Sequence, residues 1–352
     1  MSGRVVSFGD RLVGPGHAVY FVAELSANHR GDLGRAVELV HAAAESGADA
    51  VKLQTFSPDG MAFEGSHPSL IVGEGTPWAG RRLHDLYVEA LTPWSWHAPL
   101  RDAAVAAGIG WFSTAFDAAG VAFLEELETP VHKIASFELT DLALVERAAG
   151  TGKPLVLSTG MATEVEIDQA VDVARGAGSG GLLLLRCNSA YPAPVAEMDL
   201  AALPAMADRC DVAVGLSDHT TTPIAAVVAV ALGACMVEKH LTLDRSLGGP
   251  DAPFSLEPDE LADTVRLVRE AESSIGEVRF GPSEAELGSL PYRRSIYAVA
   301  DIPAGAPFTG DNVRVLRPAA GLPPAELGSV LGRPALVAIP AGTPLSRSMV
   351  GD

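Results

Sequence analysis

The sequence predicts a closed barrel of alternating strands and helices followed by a small β-rich domain. Three observations point there. Eight short apolar runs alternate with helix-like segments over about 260 residues, and near-continuous apolar strands are what a parallel sheet covered on both faces requires. No glycine-rich GxGxxG follows the first run, which speaks against an open dinucleotide-binding sheet. From Arg293 onward the texture changes to short β-rich pieces punctuated by Pro and Gly. The fold class is therefore α/β, a (β/α)8 TIM barrel with an appended domain.

Taken in order, the first run, AVYFVAEL (18–25), ends on Glu24, with Asn28 and His29 beyond. The helix behind it sets Leu33, Ala36, Val37, Val40, Ala43 and Ala44 on one face, with Gly47 as a stop. ADAVKLQ (48–54) carries Lys52 and Gln54. Residues 56–98 are too long for a simple connection: Gly73, Gly75, Pro77 and Trp78 suggest an irregular flap, and LHDLYVEAL a short helix. GIGWFST (108–114) ends on Ser113 and Thr114, PVHKIAS (130–136) on Lys133 and Ser136 with Glu138 beyond, and PLVLST (154–159) on Ser158 and Thr159. GLLLLRC (181–187) leads to Asn188, Ser189 and Tyr191, and VAVGLS (212–217) to Ser217, Asp218 and His219. ACMVEKH (234–240) supplies Glu238, Lys239 and His240, and the last barrel helix covers about 257–275. Thr163 and Glu166 have capping-box spacing, while Thr92-Pro93 and Thr222-Pro223 read as caps with Pro in the first turn. The barrel is expected over 1–280, a linker over 281–292 and the β-rich domain over 293–352, where DIPAGAPF and AIPAGTPL read as one turn used twice.

With 48% hydrophobic and 20% charged residues, the chain can bury a substantial core. A formal charge of −19 argues against nucleic acid or an anionic membrane as partner. It leaves room for a small anion, because screening confines exposed charge effects to about 8–10 Å. No apolar run approaches the ~20 residues that span a bilayer. The first residues lack a basic stretch followed by an apolar one, and Cys187, Cys210 and Cys235 are scattered. A cytoplasmic location is expected.

Every run ends on groups that can do chemistry, and lysines inside apolar strands are costly unless paired. His219 and His240 fall at corresponding positions on neighbouring strands, about 4.8 Å apart. Two imidazoles, water and substrate oxygens would make an open site for Mn²⁺ or a similar Lewis acid. The alternative is one histidine capping a helix and the other packing internally. Lys52 and Lys133 with Ser136, Ser158 and Ser217 form a donor set for phosphate and carboxylate, unless the lysines merely pair with Glu24 and Glu138. A Schiff-base aldolase on Lys133 or Lys239 is a third reading, which leaves both histidines without a role. Met161, Met198, Met206 and the tryptophans at 78, 94, 96 and 111 are expected to pack. Cys187, with no evident activating cation, reads as a small buried hydrophobe.

Eight stretches in order, among them FVAELSANHRGDLG, FSTAFD, KIASFE, LSTGMAT, AYPAP, GLSDHT, EKHLTLDRSLGGPDAPFS and RRSIYAVADIPAG, resemble the sialic acid (nonulosonic acid) synthase family over nearly the whole chain. AELSANH, LHDLYVEALTPWSWH and SLGGPDAPFS are most similar to its pseudaminic-acid-forming branch. The resemblance implies a barrel followed by an SAF (antifreeze-like) domain, and a condensation of phosphoenolpyruvate with an open-chain amino sugar. It implies that Lys52, Thr114, Lys133, Ser136, Ser158, Ser189 and Ser217 hold phosphoenolpyruvate. Gln54, Glu138, Tyr191 and Asp251 would face the sugar, and Arg317 would reach it from a partner copy in a domain-swapped homodimer. His219 and His240 would hold Mn²⁺, with Mg²⁺ or Co²⁺ as substitutes, and Glu24 would handle protons or water. A sugar-binding protein without catalysis is the rival from another class. Arg30, Ala115, Asn188 and Ala319 depart from the family's usual residues; Arg30 and Asn188 lie on the rim, where they bear on the choice of sugar.

Overall fold

The computed structural model describes residues 4–352. The chain divides into two compact units, one ending at Gly276 and one spanning Glu277–Asp352. The first begins with an antiparallel hairpin of β1 (Val6–Phe8) and β2 (Arg11–Val13), which sequence reading overlooked. Eight parallel strands then close into a barrel: β3 (Tyr20–Glu24), β4 (Ala50–Thr55), β5 (Gly110–Ala115), β6 (His132–Ile134), β7 (Leu155–Ser158), β8 (Leu182–Cys187), β9 (Ala213–Asp218) and β10 (Met236–His240). Each falls within one of the eight expected runs or extends it by a single residue. β10 pairs with β3 to complete the ring.

Strand residues alternate between two cores. Outward-facing Phe21, Leu53, Leu157, Leu184, Leu216 and Val237 pack with helix residues such as Leu39, Leu100 and Leu144. Inward-facing Tyr20, Val22, Phe112, Val156, Leu183 and Leu185 form a second buried cluster with Val6, Phe8 and Val13 of the hairpin, filling the interior away from the mouth.

The first barrel helix, Leu33–Glu45, starts where the Asp32 side chain accepts the Arg35 N–H. It buries Ala36, Leu39, Val40 and Ala43, so Leu39 replaces Ala44 on the expected face. The Thr163–Glu166 capping box forms. The two threonine–proline caps do not. The Thr92 hydroxyl instead bonds His29 Nε2 at 3.0 Å, and the Thr222 hydroxyl is buried without a partner while Pro223 occupies the cap. Between β4 and His97 the flap holds short helical pieces, Pro58–Met61 and Leu83–Ala90.

In the second unit β11 (Ser295–Ala298) pairs antiparallel with β12 (Val313–Leu316). The two similar turns pair with each other: Ile302 and Ile339 exchange both backbone hydrogen bonds at 2.8 Å. Gly305 and Gly342 take left-handed φ values of 83° and 86° at matching positions, where a side chain would be strained. Residues 284–292, within the expected linker, form a 3₁₀ helix.

Candidate active site

Inward-facing residues near the C-terminal ends of the strands change from apolar to polar, and most line one cavity of about 400 Å³. Lys52, Gln54, Thr114, Lys133, Ser136, Glu138, Ser158, Tyr191, Ser217, His219, His240 and Asp251 all line it. Glu24, one strand over from Lys52, is buried and in contact with its ammonium. Ser189 lies 3.8 Å from the Cys187 thiol. Arg317 belongs to the second unit and is exposed.

The floor is charged and buried. Lys52 Nζ contacts Glu24, sits 3.2 Å from Glu238 Oε1 and donates to Thr114 Oγ1 at 2.9 Å. Burial raises the Glu24 carboxyl to about 7 against the pull of Lys52, and the neighbouring Glu238 charge adds to the rise. Burial also works against ionising Glu238, but Lys52 and Lys133 outweigh it and hold that carboxyl below its ordinary range. Lys133 Nζ donates to Ser158 Oγ at 2.6 Å and to the Ile134 carbonyl at 3.1 Å. Burial lowers its pKa to about 8. Of the two ion pairs weighed from the sequence, Lys52–Glu24 forms, whereas Glu138 makes no ion pair among the described residues and burial raises it to about 7.

Strand alternation removes Lys239 from the site. It points outward, 2.8 Å from Asp218 Oδ2, and donates to the Thr220 carbonyl at 2.7 Å. A nucleophilic amine is thereby excluded at this position, leaving Lys133 alone for imine chemistry.

The His219 and His240 ring centroids lie 5.3 Å apart. His219 Nδ1 is 2.9 Å from the Asn188 carbonyl, which as acceptor places a proton on Nδ1, so that Nε2 carries the lone pair in the neutral ring. Burial works against the charged ring, but Cys187, the Asn188 carbonyl and Glu238 outweigh it and raise its pKa. Burial, with His219, Lys52 and Lys239 nearby, holds the His240 pKa well below the ordinary value, and its Nδ1 is buried without a partner. Both features suit a cation ligand. Among the described residues no group of three or more His, Cys, Asp or Glu is placed to hold a metal ion, so a cation on the two imidazoles would need oxygens from substrate or water. The Cys187 thiol does have a neighbour, 3.8 Å from His219 Nδ1. The side chain is buried, as expected; burial opposes its ionisation, yet His219 and hydroxyl contacts lower it to about 7.

Above the floor the wall is apolar. Phe56, Met61, Val72, Trp78, Leu83, Leu86 and Tyr87, all in the flap region, face the cavity together with Phe116 and Phe137. Trp78 donates to the Pro250 carbonyl at 2.8 Å and packs on Tyr191 and Phe254. Sequence reading assigned Trp78 to packing; it does pack, but on the cavity side.

Residues 39–280 match the NeuB family and residues 293–351 match the SAF domain. The chain belongs to the NeuB family. It is 39% identical to pseudaminic acid synthase of Helicobacter pylori over 92% of this chain and 96% of that one. It is 36% identical to N,N'-diacetyllegionaminic acid synthase of Legionella pneumophila over 93% of each. The crystal structure of N-acetylneuraminic acid synthetase from Leptospira borgpetersenii superposes with a TM-score of 0.73 at 28% identity, covering 82% of this chain and 95% of that one. The family and the barrel-plus-SAF architecture are those the sequence motifs implied. Glu238, named from the sequence only as a polar end of its run and given no role there, lines the cavity 3.2 Å from Lys52 Nζ. In MVEKH, alternation puts Glu238 and His240 on one face and Lys239 on the other, a signal that was present.

Proposed function

We propose that this NeuB-family chain condenses phosphoenolpyruvate with an open-chain 2,4-diacetamido-2,4,6-trideoxy hexose of the altrose type. The products are a nine-carbon nonulosonic acid and phosphate. The observation that carries the class of sugar, a 6-deoxy hexose with acetamido groups, is the division of one cavity into a lysine-bearing floor and an apolar wall. Lys52 and Lys133 suit the phosphate and carboxylate of phosphoenolpyruvate. The aliphatic and aromatic wall suits a sugar whose sixth carbon is a methyl and whose acetamido groups end in methyls, and offers no cation for a sugar phosphate. Within that class, the altrose type is chosen on the similarity to the pseudaminic acid synthase of Helicobacter pylori.

The aldehyde carbon is attacked by the enol carbon of phosphoenolpyruvate, water adds to the resulting cationic centre, and phosphate leaves the tetrahedral intermediate. Lys133, Ser136 and Ser158 bind and orient the anion, while Lys52 neutralises charge beside it. Glu24, poised near neutrality, takes a proton from water, and Glu238 keeps Lys52 charged. Gln54, Glu138, Tyr191 and Asp251 orient the sugar. A divalent cation held by His219 and His240, Mn²⁺ first and Mg²⁺ or Co²⁺ as substitutes, would supply Lewis-acid polarisation of the aldehyde. A cytoplasmic homodimer in which Arg317 of the other copy meets the sugar belongs to the same proposal; sedimentation reads the oligomeric state.

Phosphate release is measured with phosphoenolpyruvate and each of three sugars, with and without chelator. The altrose-type sugar is expected to be preferred and chelation to stop turnover. Comparable use of N-acetylmannosamine, or of the sugar leading to legionaminic acid, would overturn the assignment. Full activity in chelator with a borohydride-trapped adduct on Lys133 would replace the mechanism by imine chemistry.

A further inference from the structure

Glu24 does not hold its orientation alone. Its Oε1 accepts the Ser26 backbone N–H at 2.8 Å, and Ser26 is buried with φ at 42°. A residue other than glycine persists in that left-handed region only when its surroundings hold it there. The holding group is on the loop after β10: the Ser26 hydroxyl donates to Asp251 Oδ2, and the Ala27 N–H approaches the same oxygen at 3.5 Å. That loop is itself tied down. Asn28 Nδ2 donates to the Leu241 carbonyl and to Ser255 Oγ, each at 2.8 Å, and Ser255 Oγ donates to the Asp251 carbonyl at 2.6 Å.

We propose that Asp251 is a positioning residue for Glu24, acting through Ser26, in addition to facing the cavity. Holding the Ser26 side chain fixes the turn that aims its N–H, and that N–H fixes the carboxylate. The same loop carries the Pro250 carbonyl that accepts from Trp78 in the flap, so the sugar wall and the proton-handling carboxylate share one support. The inference rests on the proposed role of Glu24.

The test is a mutant cycle in the full chain, run with whichever sugar the wild type turns over, so that a wrong sugar assignment and a wrong positioning role fail separately. Ser26→Ala is expected to lower kcat about tenfold with little change in sugar KM, since a small misplacement of a reacting group is costly. Ser26→Gly, which relieves the backbone strain and so keeps the fold, is expected to lose the same factor. Asp251→Asn is expected to lower kcat similarly and to raise sugar KM as well. In a Glu24→Gln background none of Ser26→Ala, Ser26→Gly and Asp251→Asn lowers the residual kcat further. Unchanged kcat in Ser26→Ala and Ser26→Gly, or losses that persist undiminished in Glu24→Gln, would overturn the role.

Discussion

The two ends of one barrel interior are built from the same strands and could hardly differ more. Along β3 the inward residues run Tyr20, Val22, Glu24; along β10 they run Met236, Glu238, His240. Away from the mouth the hairpin closes the interior with Val6, Phe8 and Val13. Toward the mouth the same lattice holds lysines, carboxylates and imidazoles that are buried yet face an open cavity. The difference teaches where each cost falls: apolar contacts stabilise the ring, and its rigidity keeps buried charges at fixed separations that solvent would otherwise relax.

The sharpest way to break the comparison is at the histidines. His219→Ala or His240→Ala is expected to cut turnover on the order of a thousandfold or more while leaving far-UV circular dichroism unchanged. The mirror experiment is Phe112→Ala at the closed end, which packs near Phe8 with ring centroids 6.2 Å apart. It is expected to lower unfolding free energy by about 3–5 kcal/mol with kcat per folded molecule preserved, as read by denaturant titration beside an activity assay.

A smaller effect is expected at Gly160, whose N–H donates to Ser136 Oγ at 3.0 Å. A Cβ there would collide with Ser189 Oγ and lie 2.8 Å from Ser136 Oγ. Gly160→Ala should therefore raise the KM for phosphoenolpyruvate by roughly tenfold through displaced hydroxyls, with the sugar KM little changed.

The smallest effect concerns Glu138, which burial raises to about 7. The folded chain keeps that proton where the unfolded chain has lost it. The stabilising contribution is therefore complete below the unfolded value of about 4.3 and gone once pH passes about 7. Glu138→Gln should lose less stability than the wild type between about pH 5 and about pH 8, by about 1–2 kcal/mol. Equal slopes would mean that its carboxyl is solvated.

Much of this was legible before any coordinates. Periodicity located all eight barrel strands, because a strand buried on both faces must be apolar throughout, and their polar ends marked the mouth. The β1–β2 hairpin was not legible, since its strands are three residues each and too short for a period. Lys239 looked like a site residue until β10's register turned it toward Asp218. Trp78 gave no local sign of facing a cavity, because Pro250, Tyr191 and Phe254 meet it only across the fold. Thr92 and Thr222 had the spelling of caps, but in the one case a tertiary partner, His29, took the hydroxyl, and in the other the turn placed Pro223 at the cap.

The central claim is that two imidazoles and a buried, lysine-bearing floor share one site. A crystal structure of the full chain with phosphoenolpyruvate and Mn²⁺ tests it most directly. The ion is expected between His219 and His240, with the anion on Lys133, Ser136 and Ser158. Imidazoles turned apart with no ion between them, or an anion seated away from Lys133, would contradict it.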